Sequence, residues 1–404
     1  MPHWSPFRKF LTYSSILIGV VAPALAYGAT LVVAQDGHGT AGHCDAGKPT
    51  PYTKISSAIA AAKPNDVIDV CPGVYDEQLL IDKPLTLHGE NGAVLQPSSV
   101  QFNTSSPASG TPLVALVLVQ DTKGVTIQTL VVDGSVAVAV ALPPDTTLDD
   151  NGCPSPGDRL FGIFFRNASG AVRSTAIENM HFSFEADGIH TCPDGAGIRV
   201  QTGNGASARV TIQGNSIHDY QRNGVTVIGA GVDVQVSANV VTGLDSAATA
   251  VQNGIQVSFG ATGTVSENVV AGHVSPACVS VESCPATSTD VVIAQSNGVK
   301  VLGNTLGRSQ AGVLMDTATR CEIRGNAISQ TLVFDGIAVF ADGNQIVGNV
   351  IVDSDESGIY VAGNANTIDA NTINDAPIGI WIDSGTGNRV RFNRFINTPV
   401  TIQQ

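Results

Sequence analysis

The sequence has few aromatic and few charged side chains. Aromatic residues make up 5% and charged residues 13% of its 404 residues, and 20 Lys and Arg stand against 34 Asp and Glu. The net charge of −14 disfavours nonspecific capture of nucleic acid. No apolar segment beyond the N-terminus reaches membrane-spanning length, because hydrophobic residues there alternate with polar ones. The sequence therefore predicts no nucleic-acid partner and, once the N-terminal segment is removed, no membrane partner.

Asparagine recurs at near-regular intervals along the second half of the chain. The steps are 24, 29, 36, 22, 23, 22 and 22 residues. A fixed period of this size indicates a solenoid, in which each repeat stacks one coil on the last. The amides can bond to one another along a ladder, which assigns these residues to the scaffold. The repeating positions are Asn215, Asn239, Asn268, Asn304, Asn326, Asn349, Asn371 and Asn393.

Each repeat contains three short stretches in which apolar and polar residues alternate, separated by Gly, Asn, Asp or Ser. Such stretches predict short strands with turns between them, and no amphipathic helix interrupts the last repeats. The expected fold is all-β, a parallel β-helix with three short strands per coil. A short helix over residues 55–62 is expected to cap the first coil. Insertions are expected at 244–250, at 281–290 and after His190.

The N-terminus resembles a secretory signal. Arg8 and Lys9 precede an apolar run, and Ala24-Leu25-Ala26 is a small-x-small cleavage site. We therefore expect a signal peptide over 1–26, with a single membrane anchor as the alternative, and one β-helix domain over 27–404. The expected location is extracellular or periplasmic. The last coil is covered either by its own polar tail or by a partner, and the oligomeric state is left open.

Seven cysteines fit an oxidising compartment. Cys321 is left over and is expected to be a buried small hydrophobe, since it lies two residues before the inward Ile323. No Cys-x-x-Cys pair indicates a metal site, so the metal content stays unknown. The expected disulfide pairs are Cys44 with Cys71, Cys153 with Cys192, and Cys278 with Cys284.

The segments 66–77 and 81–89 carry a family resemblance. They read Asp-Val-Ile-Asp-Val-Cys-Pro-Gly-Val-Tyr-Asp-Glu and Ile-Asp-Lys-Pro-Leu-Thr-Leu-His-Gly. They resemble the first coil of the right-handed parallel β-helix proteins of the pectin-lyase-like superfamily. The resemblance implies a right-handed helix and a secreted protein that acts on or binds polysaccharides. The motifs of pectin methylesterases, polygalacturonases and alginate epimerases are absent or out of order.

Registering the coils on their glycines places polar residues on one outward face. Asp187 and His190 are expected beside Arg222 in the next coil, as candidate catalytic residues. Together they suit proton abstraction beside a uronic acid carboxylate, with Arg as base or charge clamp and His as proton relay. A glycosidase would need a second carboxylate, for which Asp219 and Asp245 are candidates. The alternative is a solvated polar face. Candidate substrate-binding residues in the next coils are Asn223, Asn253 and Gln256.

Tyr360 and Trp381 form a second outward patch, which suits stacking on sugar rings or a C-terminal contact. If the substrate is a polyuronate, bridging Ca²⁺ at Asp353, Asp355 and Glu356 is expected to help. Two functions remain open. One is a carbohydrate-active enzyme, a polysaccharide lyase or glycoside hydrolase; the other is a non-catalytic, adhesin-like polysaccharide-binding protein.

Overall fold

The computed structural model describes most of the chain after the N-terminal segment. The described residues are 28–40, 42, 44, 49–135, 138–139, 159–184, 191–192, 195–203, 205–245, 251–275, 278, 280, 284 and 287–404. The predicted signal peptide over 1–26 lies outside them. Among the residues described, no helix has the length and apolar character needed to cross a membrane.

Three long sheets run the length of the molecule, and the chain visits them in turn. The strands of the first sheet are Thr30–Val33, Asp66–Val70, Leu85–Gly89, Val125–Gln128, Gly170–Arg173, Ala208–Gln213, Val232–Ser237, Thr262–Ser266, Lys300–Leu302, Glu322–Arg324, Gln345–Val347, Thr367–Asp369 and Arg389–Arg391. The strands of the second sheet are Gly73–Tyr75, Ala93–Leu95, Val131–Asp133, Ala176–Glu178, Ser216–His218, Val240–Thr242, Val269–Ala271, Thr305–Ser309, Ala327–Thr331, Val350–Ser354, Thr372–Asn374 and Arg394–Ile396.

The third sheet has the longest strands. They are Leu79–Ile81, Pro112–Gln120, Leu160–Arg166, Gly195–Gln201, Asn223–Ile228, Asn253–Ser258, Thr289–Ala294, Ala311–Asp316, Ile337–Phe340, Ser357–Ala362, Ile378–Ser384 and Val400–Gln403. Thr104–Ser105 pairs antiparallel with the second of them. A small fourth sheet holds Ser99–Val100, Val138–Ala139, Phe182–Phe184 and Thr191–Cys192.

Every coil-to-coil pairing in the three long sheets is parallel, for example Thr226 with Gln256 and Tyr360 with Trp381. Three strands per coil, stacked in this way, form a right-handed parallel β-helix. The fold class predicted from the sequence is therefore confirmed. The interior is narrow, so each strand contributes small and β-branched side chains to it. The sequence aligns each coil on one glycine, which we call its registering glycine. The residue after each of these glycines is buried, as predicted: Val225, Ile255, Val313, Ile337, Ile359 and Ile380.

The asparagine ladder is confirmed along all eight predicted positions. Asn304, for example, accepts from the backbone and side-chain amides of Asn268 at 2.9 Å each, and its own side-chain amide donates to Asn326 Oδ1 at 2.9 Å. Each Asn therefore hydrogen-bonds both to the backbone of one coil and to the side-chain amide of the next, which satisfies the buried amides of the ladder. A second, shorter ladder was not predicted and runs through Asn344, Asn366 and Asn388.

The predicted front cap is present as the helix Ile55–Ala61. The Glu77 carboxylate accepts hydrogen bonds from the backbone amides of Ile55 and Ser56 at 2.7 and 3.0 Å. These amides lack partners within a helix, so Glu77 stabilises its first turn. Ile55, Ala58 and Ile59 are buried against the first coil and close that end of the core.

The disulfides Cys44–Cys71 and Cys278–Cys284 are formed as predicted. The side chains of Cys153 and Cys192 lie outside the described part, so that pair stays a prediction. Cys321 is buried, as predicted, and burial raises the pKa of its thiol, which keeps it protonated. Its backbone amide donates to Asn344 Oδ1 at 2.9 Å, so Cys321 stands at the head of the second ladder.

One predicted insertion is too long. Residues 281–290 were expected to form a loop, but Thr289–Ala294 is a strand of the third sheet. Asp290 lies opposite Gly254 and Gly312, at the position where sister coils carry the registering glycine. The glycine pattern therefore missed this coil. The other two predicted insertions fall largely outside the described residues.

Candidate functional site

The outer face of the third sheet, where the sequence predicted the site, divides into three zones. Side chains alternate between the core and the outside along each strand, so one column of outward residues runs through successive coils. We call this the central column. Its members from Leu118 onward are Leu118, Phe164, Arg199, Thr226, Gln256, Val292, Leu314, Ala338, Tyr360, Trp381 and Gln403.

The first zone is an apolar cluster outside the coil. Phe161 and Phe164 belong to this cluster, with ring centroids 5.5 Å apart. The Arg199 guanidinium carbon lies 4.9 Å from the centroid of the Phe161 ring and 5.8 Å from that of the Phe164 ring. Arg199 Nε also donates to Gln201 Oε1 at 3.0 Å, and Gln201 Nε2 donates to Ser106 Oγ at 3.1 Å. The antiparallel strand Thr104–Ser105 borders this zone. The zone is buried, and its arginine is engaged in packing.

The register predicted for Asp187 and His190 is wrong. The strand beside Asn223–Ile228 is Gly195–Gln201, which places Ala196 opposite Asn223 and Arg199 opposite Thr226. Asp187 and His190 themselves lie outside the described residues, so their catalytic role stays a prediction. The sequence alignment of the coils uses Gly188, but in the structure Gly197 is the registering glycine of this coil. Both glycines are followed by isoleucine, so the sequence pattern around them is the same.

The second zone is polar and largely closed to solvent. Asn223 lies opposite Asn253, and Gln256 of the same strand as Asn253 lies opposite Thr226. Thr226 is only 1% exposed, while Asn253 and Gln256 are half-buried. Arg222 precedes the strand, is half-buried, and donates its backbone amide to the carbonyl of Gly195 at 2.9 Å. The polar residues do align, but they offer a ligand little surface.

The third zone is open and aromatic. The ring centroids of Phe340 and Tyr360 are 5.3 Å apart, and those of Tyr360 and Trp381 are also 5.3 Å apart, with planes at 43° and 82°. Phe340 is 45% exposed, and Tyr360 and Trp381 are half-buried. We call these three residues the aromatic row. Tyr360 and Trp381 were predicted to lie on this face, whereas Phe340 was missed because it stands two residues beyond the central column.

Carboxylates surround the aromatic row. Burial, followed by a hydrogen bond with the Asp383 carboxylate, raises the pKa of Tyr360 to about 12, so the phenol stays neutral. Asp335 is 4% exposed and accepts a hydrogen bond from Ser357 Oγ at 2.5 Å. Burial raises the pKa of Asp335 to about 7. The hydrogen bond from Ser357 lowers this pKa, and the nearby Glu356 carboxylate raises it by a smaller amount. Burial also raises the pKa of Glu356.

The two candidate second carboxylates lie elsewhere and are paired. Asp219 Oδ2 lies 2.7 Å from Nδ1 of His218, which belongs to a strand of the second sheet. Asp245 Oδ2 lies 2.6 Å from the guanidinium of Arg308, also on the second sheet. Neither residue belongs to a strand of the third sheet.

A buried polar network inside the coil was not predicted. Tyr220 Oη lies 2.5 Å from His273 Nε2, His273 Nδ1 lies 2.7 Å from Asp290 Oδ1, and Ser309 Oγ donates to the same oxygen at 2.5 Å. All four residues are fully buried. Burial raises the pKa values of Asp290 and of Tyr220. Since no solvent reaches these groups, the network stabilises the core rather than forming an active site.

The fold and the open face define a class, a right-handed parallel β-helix protein with an aromatic outer face. The chain belongs to the family described as "Protein of unknown function (DUF1565)", whose pattern matches residues 38–297. A second family, described as "Periplasmic copper-binding protein (NosD)", matches residues 208–404, just under half of the chain. A comparison with curated proteins finds no matching sequence.

Solved structures share the fold at low sequence identity. The A-module of the mannuronan C-5 epimerase AlgE4 from Azotobacter vinelandii is 15% identical, with a TM-score of 0.59 over 92% of this chain and 97% of that one. The GH136 lacto-N-biosidase from Eubacterium ramulus is 12% identical, with a TM-score of 0.53 over 93% and 68%. XylC in complex with xylose is 10% identical, with a TM-score of 0.52 over 91% and 86%. At sequence identities this low, structural similarity establishes only that the fold is shared.

The residues of this chain do not fit a copper site in the segment that matches the copper-binding family. Copper takes His, Cys and Met ligands. The segment holds two histidines: both ring nitrogens of His273 are engaged in the buried network, and those of His218 face Asp219 and Glu178 at 2.7 and 3.3 Å. Its one methionine, Met315, and its one free thiol, Cys321, are buried in the core.

One group of three potential metal ligands is found among the residues described. The ligand atoms of Asp69, His88 and Glu90 lie within 4.8 Å of one another on the first coils. Asp69 already accepts from the backbone amide of Gly42 at 2.7 Å and lies 2.8 Å from His88 Nδ1. The group therefore has internal partners, and it does not include Asp353, Asp355 or Glu356, at which calcium was predicted.

Proposed function

We propose that this protein is an exported polysaccharide-binding β-helix whose aromatic row stacks on sugar rings. The observation that carries the proposal is the row itself, three aromatic side chains on three successive coils with centroids 5.3 Å apart. Exposed aromatic rings offer flat apolar surfaces, and Tyr and Trp suit surfaces that are partly wet because each also carries a polar group. The row lies on a rigid sheet, so it is preorganised for a ligand.

An exposed row of this kind is unusual in a chain with so few aromatic residues. Core packing does not require it, because the interior of each coil is filled by residues such as Ile359 and Ile380. Contiguous apolar surface that the core does not use marks an interaction site. The fold is shared with proteins named for sugar substrates, which agrees with the proposal, although the proposal depends on the row and not on that likeness.

Binding is better supported than catalysis by the residues described. The predicted catalytic set of Asp187, His190 and Arg222 includes only one described residue, and Arg222 adjoins the closed polar zone. Lyase or hydrolase chemistry remains the second candidate. One observation favours it: the carboxyl of Asp335, with its pKa raised to about 7, lies among the carboxylates that act on Tyr360. A carboxyl that is still protonated near neutral pH can serve as a general acid.

Export and calcium belong to the same proposal. The N-terminal segment has the composition of a signal peptide, and the two disulfides fit an oxidising compartment, extracellular or periplasmic. Calcium binding at Asp353, Asp355 and Glu356 stays a prediction. It is tested by adding a chelator to the binding assay: loss of polyuronate binding supports a bridging ion.

The test uses the mature chain, residues 27–404, in affinity gels that contain neutral, amino-substituted or uronate polysaccharides. Retardation in at least one gel supports the proposal, and retention of mobility in all of them contradicts it. Reducing ends and unsaturated-sugar absorbance are measured on the same polysaccharides. Release of either product, lost in Asp335→Asn but not in Asp342→Asn, would establish the hydrolase or lyase alternative.

A further inference from the structure

A long acidic segment surrounds the aromatic row. Between Arg324 and Arg389 the sequence contains no Lys, Arg or His. The same segment contains the eight acidic residues Asp335, Asp342, Asp353, Asp355, Glu356, Asp369, Asp375 and Asp383. This segment builds the coils that carry Phe340, Tyr360 and Trp381. The local charge is therefore far more negative than composition alone requires.

The third sheet itself is divided by charge. Its later strands, from Thr289–Ala294 to Val400–Gln403, contain no basic residue, whereas earlier strands contain Arg166 and Arg199. The arginines that flank the acidic segment lie on other sheets: Arg324 and Arg389 on the first, and Arg394 on the second. No basic residue in these later strands therefore offsets the carboxylates near the row.

We propose that the aromatic row binds a glycan that carries free amino groups, a polymer of positively charged amino sugars. The inference rests on the proposed function and names its substrate class. An ammonium group is attracted both to the face of Trp or Tyr and to neighbouring carboxylates. Two carboxylates are placed to supply this charge. Asp383 is exposed and lies two residues after Trp381, and Asp316 lies opposite Phe340 on the preceding coil.

The same charges disfavour the substrate class that the fold suggests first. A polyuronate would bring its carboxylates against the exposed carboxylates of Asp383 and Asp316 beside the row, and like charges at close range are repulsive. A neutral glycan would gain the stacking contacts but no charge attraction. The expected order of affinity is therefore amino glycan, then neutral glycan, then polyuronate.

The experiment measures the binding of three hexasaccharides to the mature chain by calorimetry at low and high salt. They are the hexamer of glucosamine, the hexamer of N-acetylglucosamine and a hexuronate. The first two have the same backbone and differ in N-acetylation, which replaces a charged amino group by a neutral acetamide. We expect the amino hexamer to bind at least about fivefold more tightly than the acetylated one, with the difference shrinking at high salt.

Three variants locate the binding. Trp381→Ala should abolish binding of both hexosamine oligomers. Asp383→Asn should weaken binding of the amino hexamer about threefold and leave the acetylated hexamer unchanged. Asp369→Asn removes the same charge from the acidic segment but lies on the first sheet, so it should leave both affinities unchanged.

The outcomes separate the inference from the proposed function. If the acetylated hexamer or the hexuronate binds as tightly as the amino hexamer, the substrate class is wrong while glycan binding at the row stands. If the amino hexamer binds equally well to Trp381→Ala, the attraction is nonspecific charge capture and the inference fails. If no glycan of any class binds, the proposed function fails with it.

Discussion

Tyr360 and Trp381 occupy equivalent positions on adjacent coils, with ring centroids 5.3 Å apart and ring planes at 82°. This edge-to-face contact stabilises the orientation of both rings. Both residues lie on strands, so their positions are set by the sheet and not by loops. The Tyr360 phenol is held further by its hydrogen bond with Asp383. The pair is therefore a rigid feature of the outer surface, suited to a flat ligand.

Tyr360 gives a test of stacking against hydrogen bonding. Tyr360→Phe keeps the ring and loses the hydrogen bond with Asp383, so glycan affinity should fall less than about threefold. Tyr360→Ala removes the ring and its contacts with Phe340 and Trp381, so affinity should fall about tenfold or more. Calorimetric titration of both variants distinguishes the two effects. Equal losses in both would mean that the phenol, not the ring, makes the contact.

Asp335 makes stability depend on pH. Its pKa in the folded state, about 7, lies above its ordinary value of 3.8, mainly because of burial. The stability it contributes is therefore fully present below about pH 4 and is lost as the pH rises through about 7. Relative to Asp335→Asn, the wild type should lose at most about 4 kcal/mol of unfolding free energy across this range.

The measurement is denaturant unfolding of the wild type and Asp335→Asn at several pH values from 4 to 8. Asp342→Asn serves as the control, since Asp342 is exposed. It should follow the wild-type curve at every pH. A constant difference between the wild type and Asp335→Asn would show that the carboxyl titrates alike in the folded and unfolded states, which would contradict a raised pKa in the fold.

The asparagine ladder should be costly to interrupt in its middle. Asn304 donates to the Val265 carbonyl at 3.0 Å and to Asn326 at 2.9 Å, and accepts two bonds from Asn268. Asn304→Ala removes all four and leaves buried partners unsatisfied, at a cost of about 3 kcal/mol. Asn364→Ala, at an exposed turn, should cost less than about 1 kcal/mol. Equal unfolding free energies for the two variants would contradict a stabilising ladder.

The buried network gives a further stability prediction. Asp290→Ala deprives His273 and Ser309 of their shared acceptor inside a core without solvent, which should cost about 3 kcal/mol or more. Asp316→Ala, at an exposed end of the next strand, should be nearly neutral. Chemical denaturation compares them. A mild effect of Asp290→Ala would mean that the cavity admits a water molecule to replace the carboxylate.

Periodicity was sufficient to predict the fold. The regular Asn residues, the buried residue after each glycine and the capping helix are repeated or local features, so they can be found without knowing long-range contacts. The register failed where one coil breaks the pattern. Asp290 replaces a glycine, so the predicted loop extends over the first two residues of the strand Thr289–Ala294, and the alignment uses Gly188 where Gly197 belongs.

The candidate site was only partly predictable for a different reason. Alternation along a strand assigns side chains to the outer face, and it placed Tyr360 and Trp381 correctly there. Accessibility is a long-range property, since Thr226 is closed to solvent while Phe340 is open. Likewise, no local pattern brings Tyr220 to His273, which are 53 residues apart in the chain.

Trp381 provides the most direct test of glycan binding at the aromatic row. The sequence contains two tryptophans, and Trp4 lies within the predicted signal peptide, so Trp381 is the single tryptophan of residues 27–404. Fluorescence excited selectively at tryptophan therefore reports on Trp381 in the row. If glycans bind at the row, Trp381 emission should change saturably on glycan titration, with a midpoint equal to the calorimetric Kd. Glycan binding by calorimetry with unchanged emission would contradict binding at the row.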